Sequence, residues 1–248
     1  MKKGCVVVTG ASRGIGAAIA EALARSGFTV ACLSRTGGFP QRDGLDDDIR
    51  SRLIPVKCDI NNRAQLEEAF QTVVKQSAVS IVGLVNNAGI HLDGASDSFA
   101  LADFESVMST NVTALFSVSQ VGLPYLREAG SSVVVNIGSF FDKLGVKRNT
   151  AYCASKAAVG AITRCLAVEW AKFGVRVMNV APGYIVTDLN REEMSGEALR
   201  KFLEKRIPMG KPGGADDVAH LVVSLFGDAG AFMTGETFYV DGGQGMAL

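Results

Sequence analysis

The chain carries 25 basic and 25 acidic residues in 248, with two histidines and no Lys/Arg tract, which argues against a nucleic-acid surface. No apolar run reaches the ~20 residues of a membrane span, and five cysteines at positions 5, 32, 58, 153 and 165, without a C-x-x-C pair, make neither a disulfide framework nor a zinc site, so no metal is expected. The length suits one large α/β domain, residues 1–248, whose 28 glycines are spread among turns and not gathered into a linker.

The start MKKGCVVVTG enters a strand directly, in place of a signal-peptide apolar region, so a cytoplasmic location is expected, although a removed organellar transit peptide would leave no trace. The run GCVVVT leads straight into GASRGIG and the helical pattern AAIAEALARSG, a strand, glycine turn and helix in the order a dinucleotide site needs. Gly10 permits the tight turn, Gly14 lets the backbone approach a pyrophosphate, and Gly16 allows close helix packing, while the first free N–H groups of the helix face the negative charge. The spacing is G-x-x-x-G-x-G, and glycines in such a turn can also serve positive φ alone. A second strand, FTVACLS, ends at LSRT. Between residues 35 and 53, Gly, Pro and three consecutive aspartates predict a short or irregular helix. LIPVKCD and SIVGLVNNA follow as strands, and then a helical stretch around Asn111, a poor helix former.

SSVVVNIGS, VRVMNVAP and TFYVDG complete the strands, with the helix AYCASKAAVGAITRCLAVEW between the first two and a polar, charged helical segment at about 187–212 after the second. Continuous apolar strands alternating with helices predict a doubly wound parallel sheet of about seven strands with helices on both faces. Cys5, Cys32 and Cys58 read as small core residues.

Tyr152 and Lys156 stand four apart on the long helix and share one face, so the lysine ammonium is expected to favour the ionised phenol. Ser139, thirteen positions before the tyrosine at the end of an apolar run, would hold and polarise a substrate oxygen while Tyr152 passes the proton. For the Tyr–Lys pair alone, a packed ring and a solvated charge remain the alternative.

TGASRGIG at 9–16, CDI at 58–60, NNAG at 86–89, Asn111, Ser139, YCASK at 152–156 and APGYIVT at 181–187 together resemble the short-chain dehydrogenase/reductase family over nearly the whole chain. The resemblance implies a Rossmann-type fold with strand order 3-2-1-4-5-6-7, a cofactor half at about 1–135, a catalytic and substrate half at about 136–248, and a lid at about 187–212. It implies Asn111, Ser139, Tyr152 and Lys156 as the catalytic residues, the asparagine positioning a water that links the lysine to solvent. Cofactor contacts are implied at Gly10, Ser12, Arg13, Gly14, Ile15, Gly16, Arg35, Asp59, Ile60, Asn87, Ala88, Gly89, Tyr152, Lys156, Pro182, Gly183, Ile185 and Thr187. Asp59 would read the adenine, Asn87 to Gly89 would pass the adenosine ribose, and Tyr184 to Thr187 would hold the nicotinamide carboxamide. Ser34 stands where NAD-selective members carry an acid, and Arg13 with Arg35 could clamp a 2′-phosphate, so the expected cofactor is NADP(H).

RIPMGKPGGADDVAHLVVSLF and TGETFYVDGG are most similar to the 3-oxoacyl-carrier-protein reductase branch, which implies reduction of a 3-oxoacyl thioester and a place in fatty acid biosynthesis. Glu128, Gly130 and Phe173, where that branch often shows basic residues near the site entrance, speak against an acidic carrier protein as partner. A coenzyme A thioester, a small ketone or another secondary alcohol stays open, as does a non-catalytic NADP-binding sensor or scaffold. Val112, Leu115, Phe116 and Val118 on one helix, with Ala157, Val159, Ile162, Leu166 and Trp170 on the next, need more cover than one sheet face gives. By resemblance these helices pair across a two-fold axis, with TFYVDGGQGMAL as a second contact, in a homotetramer.

Overall fold

The apolar runs form strands because their side chains are buried on both faces of one sheet. In β1 (Cys5–Thr9), Cys5 and Val7 pack into one core while Val6 and Val8 pack into the other, the two-residue alternation of extended chain. A computed structural model describes residues 3–188 and 190–246. β2 (Thr29–Ser34), β3 (Leu53–Lys57), β4 (Ile81–Asn86), β5 (Ser132–Ile137), β6 (Val175–Pro182) and β7 (Thr237–Val240) complete a seven-stranded sheet in the order 3-2-1-4-5-6-7, every neighbouring pair parallel. This is the predicted α/β fold and strand order.

Helices α1 (Gly14–Arg25) and α9 (Ala215–Leu225) cover one face. On the other lie α3 (Arg63–Ser77), α5 (Leu115–Glu128) and α6 (Thr150–Trp170). The order reverses between β1 and β4, so the loops leaving their carboxyl ends part and open a crevice there.

Residues 35–53 behave as their Gly, Pro and Asp content predicts: the helix there, α2 (Asp47–Ser51), has five residues, and Asp46 caps it by accepting from Ile49 N. The preceding loop is fastened by Arg42, which reaches Glu21 on α1 and Asp216 on α9 at 2.6 Å each.

Asn111 lies in a π-helical segment, Ser109–Ala114, between α4 (Leu101–Met108) and α5. Such bulges recur at functional sites. The expected shortage of cover on α5 and α6 is largely met within the subunit. Leu115, Val118, Val159, Leu166 and Trp170 are all buried. What stays outside is Phe116 on α5 and, on α6, Ala154, Ala157, Ala161 and Val168, the last 82% exposed.

Candidate active site

At the carboxyl end of β1 the chain turns at Gly10 and Gly14, with φ of +65° and +59°. A Cβ on Gly10 would stand 2.8 Å from Ala88 Cα, and one on Gly16 would stand 2.3 Å from the Gly10 carbonyl and 2.4 Å from Asn87 Nδ2. The turn is braced from β4. Thr9 Oγ1 accepts from Asn87 N and Ala88 N, both at 3.1 Å, and Asn87 Nδ2 donates to the carbonyls of Thr9 (3.0 Å) and Gly10 (3.1 Å). The Asn87 side chain, expected to pass a ribose, therefore spends its amide on holding the turn.

Arg13 precedes α1 and gives it no side-chain cap, so the opening amides of the helix are left for an anion. One of them already has one: Gly14 N donates to Asp188 Oδ1 at 3.2 Å. No local signal in the sequence points to this contact, which spans 174 residues.

A cleft of about 930 Å³ runs from this turn to the foot of α6. Every predicted site residue lines it except Asn111. Asn111 sits behind the wall and is buried: its Oδ1 accepts from Ile90 N at 2.8 Å, and its Nδ2 donates to Ile90 O at 2.9 Å and Ser155 Oγ at 3.1 Å. It thus joins the segment after β4 to α6. Its carboxamide is 3.1 Å, through Oδ1, from where a Cβ on Gly89 would lie, a site itself 3.8 Å from Lys156 Nζ.

Lys156 is buried, donates from Nζ to the Ile137 carbonyl at 2.8 Å, and lies 5.5 Å from the centroid of the Tyr152 ring. Burial lowers its pKa from 10.5 to about 8. The Ser139 hydroxyl hydrogen-bonds Tyr152, and Ser139 Oγ accepts from Phe141 N at 3.2 Å. Lys156 by itself does not depress the phenol; the expected depression also calls on the cationic ring of a bound cofactor. Burial dominates and pushes Tyr152 up to about 12, against the opposing Ser139 bond.

The substrate end carries an aromatic wall that sequence spacing did not reveal. Phe140 and Phe141 meet at a tilt of 50°, 4.6 Å between centroids, Tyr184 meets Phe140 at 5.5 Å, and Phe141 meets the Tyr152 ring edge-on at 6.0 Å. Over it stand α7 (Arg191–Ser195) and α8 (Glu197–Arg206), whose Met194 and Leu199 line the cleft. This is the segment expected as a lid, apart from residue 189, which lies outside the described residues. Glu128, Gly130 and Phe173 are not near the entrance of this chain's cleft. They precede β5 and β6, at the opposite end of the strands, where Ser132 N bonds Gly174 O.

The glycine cradle, the uncapped helix and the long cleft ending at Tyr152 and Lys156 fit a dinucleotide. A family model described as enoyl-(acyl carrier protein) reductase matches residues 10–244. The chain belongs to the short-chain dehydrogenase/reductase family. Among relatives, it is 35% identical over 240 residues to a tropinone reductase homolog of Arabidopsis thaliana, covering 96% of this chain and 88% of that one. It is 31% identical over 250 residues to 3beta-hydroxysteroid dehydrogenase 1 of Eggerthella lenta, covering 98% and 94%. Among solved short-chain dehydrogenase/reductase structures, a gluconate 5-dehydrogenase from Burkholderia cenocepacia in complex with NADP and tartrate superposes with a TM-score of 0.88 at 29% identity, covering 99% of this chain and 96% of that one.

Proposed function

We propose that this chain is an NADPH-dependent carbonyl reductase that converts a ketone to a secondary alcohol. The observation that carries the reading is the buried Lys156 beside Tyr152, with the Ser139 hydroxyl bonded to the same phenol. The cofactor is NADP(H), and it supplies the hydride.

Ser139 holds the substrate oxygen and Tyr152 gives it the proton as negative charge develops. A phenol that stays protonated to about pH 12 in the free protein is loaded for that direction. Lys156 places positive charge at the same point, and Asn111 fixes the helix and the Ile90 backbone around them. Arg13 and Arg35 clamp the 2′-phosphate, while Asp59 and Ile60 flank the adenine. Pro182, Gly183, Ile185 and Thr187 wall the nicotinamide end.

Tyr152→Phe is expected to lower kcat by two orders of magnitude or more, about 3 kcal/mol, while NADPH binding persists. Wild-type kcat on a reducible ketone in that variant would end the reading.

A 3-oxoacyl thioester is the second reading, favoured by the RIPMGKPGGADDVAHLVVSLF pattern. The aromatic wall of Phe140, Phe141 and Tyr184 and the names of the relatives favour a compact ketone instead. Free thiols among the described residues fit a reducing compartment, the cytoplasm. The exposed stripe of Phe116, Ala157 and Val168, with Tyr239 on edge strand β7, supports a homotetramer. In light scattering, a particle near one 26.1 kDa chain with full activity would remove that assembly. The C-terminal residues 247 and 248, part of the predicted second contact, lie outside the described residues.

A further inference from the structure

Tyr152 has a second ring neighbour that the chemistry above leaves unused. His91 lines the cleft, and its imidazole stands 4.6 Å from the Tyr152 ring, centroid to centroid. Its Nε2 bonds Asn149 Oδ1. The orientation of that amide is fixed independently, because Asn149 Nδ2 donates to the Lys147 carbonyl at 2.8 Å. The oxygen of Asn149 therefore faces the imidazole, so Nε2 must be the donor and carries the proton. In the neutral ring, Nδ1 is then a bare acceptor, and it has no hydrogen bond among the described residues.

The two loops that meet here are joined at three places. Besides His91–Asn149, Arg148 Nε binds Asp93 Oδ2 at 2.9 Å, and Gly94 N donates to Arg148 O at 2.9 Å. Arg148 holds φ of +67°, a left-handed conformation that costs a side-chain-bearing residue on the order of 1 kcal/mol. The strain falls immediately before Asn149. The wall so built is polar, and its Asp93 carboxylate is paired with the Arg148 guanidinium.

We infer that His91, oriented by the positioning residue Asn149, is the hydrogen-bond acceptor that selects ketones bearing a hydroxyl group close to the reacting carbonyl. The aromatic wall takes the apolar remainder of such a substrate, and Nδ1 accepts a hydrogen bond from its hydroxyl. This rests on the carbonyl-reductase reading and narrows it to a substrate class.

The test is the ratio of kcat/KM between α-hydroxyacetophenone and propiophenone, which differ by a hydroxyl in place of a methyl, with phenylglyoxylate as an anionic third. A site built to pair a substrate hydroxyl discriminates strongly against the analogue lacking it. The wild-type ratio should favour the hydroxy ketone by about ten-fold or more, given the partly open cleft. His91→Phe keeps a ring against Tyr152, removes both nitrogens, and should bring the ratio to within about two-fold of unity. Asn149→Leu frees the tautomer and should reduce the ratio while leaving the imidazole in place. General damage to the fold would lower both substrates together and leave the ratio standing, so a ratio unchanged in both variants overturns the inference. A wild-type ratio near one, or a preference for phenylglyoxylate, also overturns it. Turnover of none of the three overturns the substrate class, whereas reduction of any other carbonyl by NADPH would still leave the reductase reading intact.

Discussion

At the glycine turn, contact is made by shape: Gly10 and Gly16 leave no room for a methyl group, Asn87 and Thr9 tie the backbone in place, and no ionisable group is forced into an unfavourable state. At the foot of α6 the arrangement is opposite. Lys156 is buried with one carbonyl as hydrogen-bond partner, Tyr152 is half-buried beside it, and desolvation holds the first toward its neutral form and keeps the second there. One end of the cleft is shaped before any ligand arrives, and the other carries an electrostatic cost. The contrast locates where binding is prepared and where chemistry is prepared.

Gly16→Ala attacks the shaped end, where a Cβ meets backbone 2.3 Å away and cannot be accommodated by a side-chain rotation. We expect a loss of ~2–3 kcal/mol of stability and NADPH binding weakened by two orders of magnitude, read by thermal melts and fluorescence titration. Stability and binding both at wild-type level would show that the turn is looser than its contacts imply.

Removing Arg13 and Arg35 together should cut the NADPH-over-NADH preference by about ten- to hundred-fold, since each charge-assisted bond contributes ~1.5–3 kcal/mol before solvent exposure discounts it. A preference that survives in the double alanine variant would place the phosphate elsewhere.

Lys156→Met probes the costly end and should abolish turnover while making the cofactor-free protein more stable at pH 7, by ~1–3 kcal/mol after the Ile137 carbonyl loses its donor. The folded pKa of about 8 lies below the ordinary 10.5, so below pH 8 both states are protonated and folding bears the full cost. Between pH 8 and 10.5 the unfolded chain alone keeps the proton, wild-type stability rises relative to the variant, and the difference should shrink. Denaturant melts at pH 7 and pH 10 read this directly, and a gap that fails to narrow would contradict it.

Most of the fold was legible because the strands are four to eight residues long and largely apolar, and those at the centre of the sheet are buried on both faces. The glycine turn and the Tyr152–Lys156 pair were legible because their spacing is local. What was not legible depends on distance or on burial. His91 and Asn149 are 58 residues apart, and nothing in HLDG or KRNT announces that they meet. The phenol's direction of shift could not be read from i, i+4 spacing, because it is set by desolvation, against the Ser139 hydrogen bond. The same holds for α5 and α6, where periodicity marks Leu115 and Trp170 as apolar but cannot say that one subunit suffices to cover them.

The carboxylate of Asp188 on Gly14 N puts an internal anion on the seat proposed for the cofactor's pyrophosphate. Ligand and side chain then compete for one amide, and the measured cofactor affinity is the intrinsic one reduced by the fraction of molecules in which the seat is open. The protein thus carries in its own sequence a competitor for one of the amides at the start of α1.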